Sequence, residues 1–233
     1  MSRGTLRVGT SGYSYPEWKG AFYPEDLKAS EFLAFYATRF GTVEINNTFY
    51  RFPAEPLLAG WRDGTPAGFS FAVKANQRIT HRARLQDTDE LARDFVERCR
   101  VLGAKLGPIL FQLPPSLRRD DDRLALFLAG LPPDTRYAFE FRHESWFDDA
   151  VFQTLRDAEV ALCVAEGETI ETPPLATASF AYVRLRKESY EPKELRRWRH
   201  WIEERLDDGQ DVYAYLKHDE AGVSPELALR LLE

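Results

Sequence analysis

Phe139-Glu140-Phe141-Arg142 places two charges on one side of an extended chain and two rings on the other. Side chains of a strand alternate between its faces, so Glu140 and Arg142 share one face and the two phenylalanines share the opposite one. Val43-Glu44-Ile45-Asn46 repeats the pattern, with Glu44 and Asn46 against Val43 and Ile45. In both stretches the apolar face suits packing against a helix, and the polar face turns away from it. These stretches end two of eight short β-rich runs, at 6–10, 42–46, 69–75, 108–113, 136–141, 160–165, 180–185 and 211–216. The runs lie about thirty residues apart, the length of one βα repeat.

Most of the intervals carry a helical pattern. Leu91, Phe95, Cys99 and Leu102 recur at helical spacing, as do Leu195, Trp198, Ile202 and Leu206. Ser145 with Asp148 reads as an N-terminal capping pair for the helix after the fifth strand. Ser224-Pro225-Glu226 supplies a cap residue, a proline for the first helical position and an acid at the positive end of the dipole. The interval 166–179 contains Pro173-Pro174 and predicts a loop. Alternating strands and helices imply a parallel sheet covered by helices. Eight of them suggest closure into a single α/β domain over 1–233, a (β/α)8 TIM barrel with an irregular segment replacing or shortening the helix after strand six. The runner-up, a doubly wound open sheet, is disfavoured at Gly9-Thr10-Ser11-Gly12-Tyr13-Ser14-Tyr15-Pro16. That stretch lacks the G-x-G-x-x-G spacing and puts a proline where a helix should start.

The 233 residues are 44% hydrophobic and 29% charged, with a formal net charge of −6. This balance suits one globular core and does not advertise a nucleic-acid surface. Cys99 falls in a helical pattern and Cys163 in a strand pattern, so both read as small core residues. No apolar signal core and no run of eighteen apolar residues is present, which predicts a cytoplasmic protein without a membrane partner.

Sites of TIM-barrel enzymes lie at the C-terminal ends of the strands, and the charges of this chain collect there. By alternation Glu44, Asn46, Lys74, Gln112, Glu140, Arg142 and Arg184 point inward near one rim. Charges inside a barrel require partners, so one reading is an ion-pair network that closes the barrel top. The other is a preorganised polar pocket, favoured by its place at the face where loops bring ligands. In the pocket reading, Arg142 and Arg184 clamp a phosphate or carboxylate. Lys74 acts as a point charge, a base or a nucleophile. Glu44 and Glu140 form an acid–base pair, or else orient the outer cations. His81 is the best placed histidine for proton transfer, whereas alternation aims His143 away, towards the cap of the next helix.

Tyr13, Tyr15, Trp18, Phe22 and Tyr23 crowd the loop after strand one, Phe49, Tyr50 and Phe52 the loop after strand two, and Trp146 follows strand five. These rings either plug the barrel mouth or stack on a sugar or base, with Tyr13, Trp18, Tyr50 and Trp146 as binding candidates. The four histidines form no H-E-x-x-H or H-x-H pair, so no metal site and no cofactor is expected.

Several ordered motifs carry a resemblance. They are Val8-Gly9-Thr10-Ser11-Gly12-Tyr13, Trp18-Lys19-Gly20, Phe22-Tyr23-Pro24, Glu44-Ile45-Asn46-Asn47-Thr48-Phe49-Tyr50, Phe71-Ala72-Val73-Lys74 with Ile79-Thr80-His81, Leu110-Phe111-Gln112-Leu113-Pro114-Pro115 and Glu140-Phe141-Arg142-His143-Glu144-Ser145-Trp146-Phe147. Together they resemble the YecE-like domain-of-unknown-function family across most of the chain. The resemblance implies a TIM barrel and supplies no reaction. It also marks departures. Arg186-Lys187 stand where that family usually has a histidine–glycine pair, Lys217-His218 where two asparagines precede an aspartate, and Glu166 where an aspartate is usual.

Three functions fit these residues. The first is an enzyme acting on a small phosphorylated or carboxylated, sugar-like substrate by acid–base chemistry. The second is a nucleic-acid-binding or repair-related protein that stacks bases on its aromatic loops and holds phosphates with Arg142, Arg184, Arg186 and Lys187. The third is a binding module without turnover.

Overall fold

Each β-rich run becomes a strand in the computed structural model, which describes residues 2–167, 170–219 and 221–232. The strands are β1 (Leu6–Thr10), β2 (Thr42–Ile45), β3 (Ser70–Lys74), β4 (Leu106–Gln112), β5 (Tyr137–Glu140), β6 (Ala161–Glu166), β7 (Phe180–Leu185) and β8 (Asp211–Leu216). All neighbouring pairs are parallel, in the order β1-β8-β7-β6-β5-β4-β3-β2. The helices are α1 (Phe32–Tyr36), the single turn α2 (Asn47–Tyr50), α3 (Glu55–Asp63), α4 (Asp89–Cys99), α5 (Asp121–Gly130), α6 (Asp149–Asp157), α7 (Pro192–Asp207) and α8 (Val223–Leu232). The result is a (β/α)8 TIM barrel. No helix lies between β6 and β7 among the described residues, as the paired prolines predict, while residues 168 and 169 of that interval lie outside the described set.

The barrel closes at the seam between β1 and β2 without a regular ladder. One parallel bridge joins Ser11 to Glu44. Below it the Tyr36 hydroxyl, from α1, accepts from the Thr10 backbone N–H at 2.8 Å and lies 3.2 Å from the Thr42 carbonyl, to which it donates. A phenol therefore takes the place of a strand-to-strand hydrogen bond. Gly9 permits this approach, because a β-carbon there would collide with the Thr42 carbonyl.

Two packed zones follow from alternation. Outward residues such as Val43, Phe71, Phe111, Phe139, Val183 and Val212 join the helices in the main core. Inside the barrel, small residues (Ala72, Ala138, Ala161, Cys163, Ala165) face the larger Leu110, Tyr182 and Tyr215. Burial raises the thiols of Cys99 and Cys163 above their ordinary range, so both behave as core residues.

Two expected caps are reassigned. Asp148 alone caps α6, accepting from the Ala150 N–H, while the Ser145 hydroxyl accepts from the Arg119 N–H on the preceding loop. At α8 the cap is Asp219, whose carboxylate accepts from the N–H groups of Ala221, Val223 and Ser224; Ser224 already lies inside the helix. Asp148 satisfies one N–H at its helix start and Asp219 three, while the serine hydroxyls are bonded elsewhere.

The seam gives a direct test. Tyr36→Phe leaves the buried Thr10 N–H without its partner, and urea unfolding should show a loss of about 1–3 kcal/mol. An unchanged midpoint would mean that the phenol contributes nothing to closure.

Candidate functional site

The inward charges of β2, β5 and β7 meet in the upper barrel. Arg184 is 2% exposed and carries both Glu44, at 2.8 Å from Nη2 to Oε1, and Glu140, at 2.5 Å from Nη1 to Oε2. Each carboxylate has further donors. Glu44 accepts from Ser11 Oγ at 2.8 Å, Asn46 Nδ2 at 3.0 Å and the Tyr182 hydroxyl at 2.8 Å. Glu140 accepts from Gln112 Nε2 at 2.8 Å, and Gln112 Oε1 in turn accepts from Lys74 Nζ at 2.8 Å. A chain of polar contacts thus runs from β1 through β2, β7, β5 and β4 to β3.

Burial works against the charge on Glu44, but the Arg184 guanidinium and the three hydrogen-bond donors outweigh it and bring the carboxyl down to about 2. Glu140 is lowered in the same way, with burial opposed chiefly by Arg184. Both carboxylates are ionised at neutral pH and fully engaged. That departs from the expectation of an acid–base pair and matches the alternative that they orient cations. Arg184 is likewise corrected from an anion clamp to a central pin, because both of its terminal nitrogens are committed to carboxylates.

Above this layer lies a half-buried cationic rim. Arg142 Nε stands 4.0 Å from Glu140 Oε1, a loose contact. Arg186 follows Tyr182 and Arg184 on the inward face of β7 extended, and its guanidinium makes no hydrogen bond or ion pair among the described residues. Arg142, Arg186, Ala165 and Lys217, with Glu140 at the base, line a cavity of about 160 Å³. Lys74 Nζ lies 4.3 Å from the centre of the Phe49 ring, which meets His81 edge-on at 4.9 Å. Burial and the Arg184 charge, partly offset by the two glutamates, lower the Lys74 amine to about 8. Burial and the charges of Lys74 and Arg142 lower His81, which holds Thr80 Oγ1 at 2.9 Å.

The aromatic candidates separate. Trp146 is fully buried, stacks on Phe141 at 4.7 Å and donates to the Leu117 carbonyl. Trp18 is also fully buried and donates to the Asp219 carbonyl. Neither ring is open to a ligand, which corrects their assignment: each indole N–H ties two loops together. Tyr13 and Asn46 line a separate small cavity with Trp61, and Tyr50 stands 71% exposed at the end of α2. His143 Nδ1 accepts from the Ser145 N–H, in the capping position that alternation predicts. Lys187 turns away from the pocket to Glu166 and Glu194. Sequence reasoning placed Arg186 only among phosphate contacts for nucleic acid and missed Ser11 and Tyr182 altogether. For Arg186 and Tyr182 the signal was available, since both share the face of Arg184.

Residues 7–233 match the family described as "Protein of unknown function DUF72". The chain belongs to the DUF72 family. This DUF72 chain is 31% identical over 143 residues to the UPF0759 protein YecE of Escherichia coli, covering 61% of the chain and 50% of that protein. It is 24% identical over 156 residues to the UPF0759 protein YunF of Bacillus subtilis, covering 64% and 54%. It spans about half the length of these curated relatives. The crystal structure of a DUF72 family protein from Thermotoga maritima superposes with a TM-score of 0.88 at 27% identity, covering 98% of each chain. Among the described residues of this DUF72 chain, no group of three or more His, Cys, Asp and Glu side chains could hold a metal ion, and no helix is long and apolar enough to cross a membrane.

The buried pair predicts an acid-sensitive fold. The folded Glu44 carboxyl sits at about 2 against an ordinary 4.5, so its contribution is complete above about 4.5 and is lost as pH falls towards about 2. Urea midpoints measured across that window should fall for the wild type and less steeply for Glu44→Gln. Arg184→Met, which strands two buried carboxylates, should cost about 3–5 kcal/mol at neutral pH.

Proposed function

We propose that the C-terminal pocket of this DUF72 protein is the active site of an enzyme acting on a small phosphorylated or carboxylated, sugar-like substrate by acid–base chemistry. One observation carries the reading. Arg186 and Arg142 line one cavity at the strand ends, while the carboxylate at its base, Glu140, is already engaged by Arg184. An arriving oxyanion meets uncompensated positive charge, and two guanidiniums recognise it through charge-assisted hydrogen bonds.

The proton chemistry falls to Lys74 and His81. An amine at about 8 exchanges protons near neutral pH, and Lys74 reaches this value without a carboxylate in direct contact. A lowered imidazole is neutral near pH 7 and serves as an acceptor. Glu44, Glu140 and Gln112 act as positioning residues that hold Arg184 and Lys74 in place. The modest volume of the cavity fits a small anionic head group. The burial of Trp18 and Trp146 removes two of the rings on which bases would stack, which favours a small anion over nucleic acid.

Thermal-shift titrations with sugar phosphates, sugar acids and short single-stranded DNA test this reading. A sugar phosphate or sugar acid should stabilise the wild type, and Arg186→Ala should weaken its binding by about 10–100-fold, the value of a charged hydrogen bond. Lys74→Met should retain binding and lose turnover. Stabilisation by DNA alone would favour the nucleic-acid alternative, and anion binding indifferent to Arg186 and Arg142 would overturn the proposal.

A further inference from the structure

Lys74 ends β3 half-buried, and its amine is held by neutral groups. Nζ donates to Gln112 Oε1 at 2.8 Å. The orientation of that amide is fixed from its other side, because Gln112 Nε2 donates to the Glu140 carboxylate at 2.8 Å. The amide oxygen therefore stays turned to Lys74, and it accepts from an ammonium and from a neutral amine alike. The Phe49 ring lies 4.3 Å from Nζ. No carboxylate stands within ion-pair distance of this amine among the described residues, since Glu44 and Glu140 are both turned to Arg184. Lys74 can lose its proton and keep its hydrogen bond.

The charged groups around the amine are Arg184 and Arg186 from the β7 side, Glu140 from β5, Glu44 from β2, and His81 from the loop that follows β3. Burial and the two guanidiniums favour the neutral form, the glutamates oppose them, and the balance falls at about 8. Other nucleophilic groups of the barrel interior are already used. Burial raises the Cys163 thiol, and the Ser11 and Tyr182 hydroxyls donate to Glu44. His81 meets the same Phe49 ring edge-on at 4.9 Å. Its Nδ1 is engaged by Thr80 Oγ1 at 2.9 Å, while its Nε2 makes no hydrogen bond among the described residues. An amine and an imidazole thus share one ring.

Building on the active-site reading, we propose that Lys74 is the nucleophile of this site and holds the open-chain form of a sugar phosphate as an imine. An open-chain aldose or ketose carries one carbonyl, and its phosphate end suits Arg142 and Arg186. Two hydrogen bonds and one amide, that of Gln112, separate the Lys74 amine from Glu140 at the base of the cavity those guanidiniums line. The neutral nitrogen adds to the carbonyl carbon, and the carbonyl electron pair moves to oxygen, which takes up a proton. His81 accepts the proton lost by nitrogen and returns it as the hydroxyl leaves as water. Amine and carbonyl become imine and water, with no further reactant. The protonated imine then draws electrons from the neighbouring carbon, whose C–H proton passes to His81. The acid–base chemistry proposed above thereby gains an electron sink.

Reductive trapping with D-glyceraldehyde 3-phosphate and cyanoborohydride at pH 8, read by peptide mass spectrometry, tests this on the wild type. At that pH about half of an amine titrating at about 8 is neutral, against under about 1% of an ordinary lysine at about 10.4. The reduced adduct should form on Lys74 at least about tenfold faster than on the chain's other lysines. Glyceraldehyde without the phosphate should label Lys74 more slowly, and Arg186→Ala should slow labelling by the phosphate in the same way. An adduct spread evenly over the lysines, or one on Lys217 in place of Lys74, overturns the imine. If the phosphate raises the thermal stability of the wild type and not of Arg186→Ala, yet leaves no adduct on Lys74, the imine falls and the proposed pocket stands. A Lys74 adduct that forms equally fast without the phosphate keeps the imine and removes the anion pocket.

Discussion

A guanidinium buried inside a barrel of alanines and tyrosines needs two carboxylates, and the upper half of this molecule is organised by that need. Arg184 draws Glu44 from β2 and Glu140 from β5 across the barrel interior. Three strands that are not neighbours in the sheet are thereby held at one height. The pairing survives burial only because Ser11, Asn46, Tyr182 and Gln112 satisfy the remaining carboxylate lone pairs. It also engages the negative charge of the pocket, which leaves Arg142 and Arg186 above it facing the cavity as cations.

The same accounting distinguishes the two ends of the barrel. At the C-terminal end the deepest arginine has both terminal nitrogens paired with carboxylates, its buried Nε alone lacking a partner among the described residues, and the outer cations carry the unmet charge. At the N-terminal end Asp211 pairs with Arg136, and Arg7 forms no ion pair among the described residues. The C-terminal end presents positive potential from a chain whose net charge is negative, because local pairing and not total charge decides what a cavity attracts.

The fold was legible in the sequence because it rests on local rules. Strands with period-two alternation, helices with 3.6-residue spacing and the double proline after β6 all act over a few residues. Alternation also named the partners Glu44, Glu140 and Arg184, since it fixes the face on which a side chain lies. It does not fix depth, and depth decides the role. Arg184 reads from sequence like Arg142 and Arg186, yet only Arg184 sits low enough to be claimed by both glutamates. Trp18 and Trp146 were misplaced for a related reason: a ring in a strand-end loop has the same sequence signature whether it faces a ligand or folds inward to bond a distant carbonyl. The Tyr36 stitch at the β1–β2 seam depends on a helix returning to a strand edge, which no local pattern announces. The caps fell to Asp148 and Asp219 because the Ser145 and Ser224 hydroxyls bond elsewhere, which the serine-first reading overlooked.

The central claim is that Glu44 and Glu140 are permanent counter-ions of Arg184 and not proton carriers. Carbon-13 NMR of the glutamate carboxyl groups, followed through an acid titration of the folded protein, measures this directly. The account predicts that neither carboxyl takes up a proton near neutrality and that Glu44 does so only as the pH falls towards about 2. A titration of either one near neutrality would contradict it and restore the two glutamates as an acid–base pair.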